Sequence, residues 1–160
     1  MSLVNKKAFR VKGFRQMISG LGATRTLKES ESGSLVLLDK ADGIVITLPK
    51  YRAGITGNVG MYFDFMVTVS CTSNSYKVIT GAATELMVGS FINCDTDSAD
   101  AVAIWKSLVG SSYISVNLDG STKGGLKGDR FRLTCLNSTT WQIEGVTNGT
   151  GTVATPMAVS

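Results

Sequence analysis

The chain has 160 residues, 43% of them apolar, with eighteen glycines, two prolines, three cysteines and no histidine. That length suits one domain with an appendage, able to bury roughly 70% of its unfolded surface, and the composition favours strands and turns over helices. The missing histidine removes the commonest general base and the Ser-His and Cys-His nucleophile pairs, and no run approaches the ~20 apolar residues of a membrane helix.

Charge divides the chain. Residues 1–28 carry seven basic groups and no acid, so the remainder is net −3 within a total of +4. Such asymmetry points to an arm that meets an acidic surface. Nucleic acid is the usual partner of a basic arm, but Phe9, Val11, Phe14, Met17 and Ile18 interleave the charges and favour a protein partner. The N-terminus lacks the apolar run of a secretion signal. Cys71, Cys94 and Cys135 are isolated, with no CxxC spacing, and read as small buried hydrophobes of a protein folded in a reducing cytosol.

Residues 1–23 are expected to form an extended basic arm with at most one helical turn, because Gly13, Gly20 and Gly22 each weaken a helix by about 1 kcal/mol. The body is expected over residues 24–160. Thr24–Leu27 is a candidate first strand. Leu35–Leu38 and Ile44–Leu48 read as a hairpin around Asp39-Lys40-Ala41-Asp42-Gly43, with Gly43 supplying the left-handed position, and Pro49 ends the return strand. Lys50–Gly60 is a glycine-rich loop.

Met61–Ser70 has the cleanest alternation in the chain. Met61, Phe63, Phe65, Val67 and Val69 fall on one side, opposite Tyr62, Asp64, Met66, Thr68 and Ser70, as in a half-buried antiparallel strand. Strands follow at Tyr76–Thr80, Leu86–Asn93, Ala101–Lys106 and Tyr113–Leu118. Gly120–Gly128 reads as a hairpin loop; it lacks the GK[ST] ending of a phosphate cradle. In Asp129–Cys135 the apolar face is Phe131, Leu133 and Cys135. Thr140–Val146 is the next strand, and Val153–Val159 a last apolar stretch. Nine or ten short strands at close spacing predict an all-β protein, an antiparallel β-sandwich in jelly-roll-like order.

Candidate sites are few. Asp95, Asp97 and Asp100 form D-x-D-x-x-D, yet Asp100 and Lys106 stand where a calcium loop needs glycine and glutamate, so a solvated turn is the expectation. Trp105, Trp141, Tyr62, Tyr76 and Tyr113 can line a sugar groove, but aromatics at strand positions mostly fill a core or interface. No pair of carboxylates marks a glycosidase.

The run SGSLVLLDKADGIVITLP at residues 32–49 resembles small tailed-bacteriophage virion proteins. So do the aromatic run from Tyr62 to Phe65, Tyr76-Lys-Val-Ile79, Gly124-Gly125 with Gly128-Asp129, Trp141-x-Ile143 and the ending Gly149 to Pro156. These proteins are capsid decoration (cement) or other head structural proteins. The resemblance spans residues 24–156 and implies a β-sandwich or β-tulip-like body on the outer capsid surface of the virion. It implies no catalytic residue, cofactor, nucleic acid, membrane or small-molecule substrate. The protein would be made in the host bacterial cytoplasm and assemble with itself, as a trimer rather than a dimer. Its partner would be the major capsid protein. Lys6, Lys7, Arg10, Lys12 and Arg15 would then supply charge to that partner, and Phe9, Val11 and Phe14 apolar anchors. The alternative is a host- or glycan-binding module of a phage head or tail fibre.

Overall fold

A computed structural model describes residues 15–55, 57–97, 102–107, 110 and 112–159. Among these residues twelve strands carry the fold: β1 (Met17–Ile18), β2 (Thr24–Thr26), β3 (Leu35–Leu38), β4 (Ile44–Thr47), β5 (Tyr62–Val67), β6 (Tyr76–Ile79), β7 (Leu86–Asp95), β8 (Val102–Ser107), β9 (Ser115–Leu118), β10 (Arg130–Asn137), β11 (Thr140–Gly149) and β12 (Met157–Ala158). A single 3-10 turn, Glu29–Glu31, interrupts them among the described residues. The strands form a seven-stranded sheet, β1-β3-β5-β10-β11-β7-β8, and a five-stranded sheet, β12-β9-β6-β4-β2. The predicted all-β sandwich is therefore observed.

The pairing inside it differs from expectation in an informative way. Both sheets are mixed. β3 and β4 do not pair with each other: β3 lies parallel between β1 and β5 in one sheet, and β4 lies parallel between β2 and β6 in the other. The first six strands thus alternate between sheets and wind through three stacked rungs, unlike an antiparallel jelly roll. The link at residues 39–43 is an arch that carries the chain across the core, not a hairpin turn. Gly43 fits that arch: its φ is +83°, and a Cβ there would stand 2.5 Å from the Ser75 carbonyl oxygen. The Tyr76 hydroxyl braces the same corner, donating to the Val69 carbonyl at 2.7 Å and accepting from the Lys40 amide at 3.1 Å. Burial pushes its phenol up to about 12.

Alternation explains why an arch works. Val36 and Leu38 of β3 and Ile44 and Ile46 of β4 all point inward, from opposite sheets, and are buried. The predicted inward faces of the longer strands hold as well. Met61, Phe63, Phe65 and Val67 are buried, as are Phe131, Leu133 and Cys135, while Val69 lies past the end of β5 and is exposed. Phe65 stacks on Phe131 with ring centroids 4.7 Å apart, and Phe91 tilts against Phe131 at 5.7 Å. Such pairs add about 0.5–1.5 kcal/mol beyond the area they bury.

Two boundaries move. Ile18 and Leu21 are buried and β1 pairs with β3, so residues expected in the arm 1–23 belong to the body. The loop at residues 120–128, expected within a hairpin, joins β9 of one sheet to β10 of the other. It is held by two carboxylates. Asp119 accepts from the Ser121 and Lys123 amides, both at 2.9 Å, and buried Asp129 accepts from the Gly125 and Leu126 amides and from both nitrogens of Asn148.

Candidate recognition face

The outward side chains of the seven-stranded sheet form two rows that run across its strands. In the first, strand register aligns Leu37, Met66, Arg130, Val146, Ile92 and Ile104 on β3, β5, β10, β11, β7 and β8. In the second, two residues along each strand, Asp64, Arg132 and Glu144 stand on neighbouring strands. Leu35 and Met17 lie to one side of them and Ser90 and Lys106 to the other. The rows bound an open concavity of about 570 Å³ whose floor includes Phe65, Phe131 and Gly145.

Its electrostatic centre is Asp64. Arg132 donates to it through two nitrogens, Nε to Oδ1 at 2.7 Å and Nη2 to Oδ2 at 2.9 Å, and the Arg15 guanidinium also contacts it. Partial burial pushes the Asp64 carboxyl up, but the hydrogen bonds from Arg132 and Arg15 outweigh it and hold the group below its ordinary range. Asp64 in turn raises Arg132, whose guanidinium also sits 4.9 Å from the centre of the Tyr62 ring. A carboxylate doubly neutralised in this way is a poor proton acceptor and a good fixture. Arg130, two residues along β10 from Arg132, is exposed, and its side chain makes no hydrogen bond or ion pair with the described residues.

Apolar exposure concentrates on this face. Of the eleven exposed large apolar side chains among the described residues, six project from it: Met17, Met66, Ile92, Val102, Ile104 and Val146. Single exposed apolar residues are ordinary on a surface, whereas contiguous ones mark contact.

Comparison of the chain with protein-family models, curated proteins and solved structures finds no match. The face is therefore read on its own chemistry.

The expected site residues fare unevenly. Lys6, Lys7, Phe9, Arg10, Val11, Lys12 and Phe14 lie outside the described residues. Arg15 is described, and it is spent on Asp64 at the rim of the concavity. The aromatic set does not form one groove: Trp141 and Tyr76 are fully buried, and Trp105 and Tyr113 pack against the core. The Trp141 indole donates to buried Glu85 at 3.0 Å, a carboxylate that also accepts from the Tyr51 amide at 2.7 Å. In the acidic loop the Asp95 carboxylate accepts from the Asp97 amide and Asp97 accepts from the Gly151 amide, while Asp100 lies outside the described residues. No three acidic or cysteine side chains converge on one point among the described residues.

Sequence reasoning missed the two rows because each member comes from a different strand. One trace was present: Met66 interrupts the polar side of β5, and Val102 and Ile104 make both faces of β8 apolar.

Proposed function

We propose that the chain is a non-enzymatic structural protein of a virion that binds the outer surface of a tailed-phage capsid and stabilises it by contacting neighbouring major capsid subunits. The observation that carries this reading is a coincidence of place. The sheet face with six of the exposed large apolar residues is also the face at whose rim Arg15 leads in from the basic N-terminal segment. A stiff body with a charged and apolar face suits repetitive contact with a shell, and trimeric assembly would add weak contacts into strong ones.

The roles of the ionisable groups agree with a binding protein. Asp64, Asp119, Asp129 and Glu85 each accept hydrogen bonds that fix a strand or loop. Burial pushes the Cys71 and Cys135 thiols up, away from nucleophilic use.

The test is cosedimentation of the full chain with undecorated capsids, beside a variant with Lys6, Lys7, Arg10 and Lys12 changed to Glu. The parent binds, and the variant binds at least tenfold more weakly. A parent that leaves capsids bare refutes the reading; equal binding of the variant removes the arm from it.

A further inference from the structure

We infer that the outer face of the seven-stranded sheet is the seat of an acidic protein segment carrying apolar side chains. The inference deepens the capsid-binding reading, on which it rests only for the owner of that segment.

Charge selects the occupant. The two rows and Arg15 present Arg15, Arg130, Arg132 and Lys106 against Asp64 and Glu144, an excess of two positive charges. Asp64 is already engaged by two arginines, and Arg130 by none of the described residues. The chain ahead of Arg15 adds Lys6, Lys7, Arg10 and Lys12, charges of the same sign as the excess on this face. A second copy placed face to face would set arginine against arginine. An acidic partner meets neither obstacle.

Apolar complementarity narrows the choice further. Met66, Val146, Ile92 and Ile104 are between 37% and 69% exposed and lie in one row, with Arg130 as the charged member among them. Phosphate backbones gain little from an aliphatic row, which disfavours nucleic acid. A protein segment with carboxylates alternating with aliphatic side chains satisfies both. Seven strands at about 4.8 Å make the face roughly 29 Å wide, the span of about nine extended residues at 3.3 Å each. The five-stranded sheet offers no comparable surface: its outward positions include Thr24, Thr26, Thr47, Lys77 and Asn117, and none of the exposed large apolar residues.

The test uses isotope-labelled full-length protein and three synthetic nine-residue peptides, alternating Asp/Leu, Lys/Leu and Asp/Ser. The Asp/Leu peptide is expected to shift the amide resonances of Met66, Arg130, Val146 and Ile92. The Arg130→Glu/Val146→Glu variant, its fold checked by the same spectrum, should bind that peptide at least tenfold more weakly. Several results overturn the inference: no binding of the Asp/Leu peptide, equal binding of Lys/Leu, indifference to the double variant, tighter binding of single-stranded DNA at the same residues, or self-association abolished by Ile104→Asp. Capsid cosedimentation separates the two proposals. Peptide binding on a chain that ignores capsids removes the virion reading and leaves the face standing. Capsid binding unaffected by the double variant does the reverse.

Discussion

Gly145→Ala sets two effects of opposite sign against each other at the centre of the sandwich. Replacing a strand glycine with alanine ordinarily helps, by about 0.5–1 kcal/mol, because the unfolded chain loses freedom. Here the added Cβ would stand 2.5 Å from the Phe131 Cβ, 2.7 Å from Phe91 Cε1 and 3.0 Å from the Arg130 carbonyl oxygen. Carbon atoms in contact prefer about 3.5–4.0 Å, so the aromatic trio must shift by roughly 1 Å. The Phe131 Cβ and the Arg130 carbonyl cannot swing aside as the end of a long side chain can. Overpacking of this kind costs about 1–3 kcal/mol, and the net expectation is a loss of about 1–2 kcal/mol. At this chain length that lowers Tm by about 2–4 °C per kcal/mol. Gly22→Ala is the control, since nothing lies within 4 Å of a Cβ there and its φ is not positive; it should be neutral or slightly stabilising. Calorimetry and urea titration measure both. A Gly145→Ala protein as stable as the parent would falsify the packing account of Phe65, Phe91 and Phe131.

Two further outcomes follow from the ionisable groups. Because the folded Asp64 carboxyl is held below its unfolded value of about 3.9, its contribution is present above that pH and fades as pH falls through the lower, folded value. Asp64→Asn should therefore cost about 1 kcal/mol at neutral pH, a figure already reduced for solvent around the arginines, and the gap to the parent should close in acid; a gap independent of pH contradicts the ion-pair assignment. Cys71 and Cys135 should react with a thiol reagent at pH 8 only after unfolding, leaving half-buried Cys94 as the one site labelled in the native protein. Rapid native labelling of Cys71 or Cys135 would show that the core opens there.

Strand positions were legible because period-2 alternation is local. Phe63, Phe65 and Val67 announce β5, and Phe131, Leu133 and Cys135 announce β10, without knowledge of any partner. Pairing was not legible. The Asp39–Gly43 link fits a hairpin and an arch equally well, since both need a left-handed residue at Gly43 and both leave alternate residues inward. What decides is the set of parallel partners, and these are distant: 18 residues separate Met17 from Leu35, and 29 separate Leu35 from Asp64. The arm boundary failed for a different reason. Ile18 and Leu21 sit among glycines and polar residues, with no apolar run to reveal that they enter the core. The recognition face was invisible because register, not sequence, brings Met66, Val146, Ile92 and Ile104 into one line.

The Arg15–Asp64–Arg132 bridge also has a mechanical meaning. β1 is two residues long and lies at the edge of its sheet, so by itself it would peel away under a small pull on the chain ahead of it. Arg15 reaches past β3 to Asp64 on β5, and Asp64 is tied to Arg132 on β10, the central strand of the seven. Tension entering at residue 15 is thus shared with the middle of the sheet before the edge strand bears all of it. A tether anchored in this way can transmit force to the body while its own first strand stays in place.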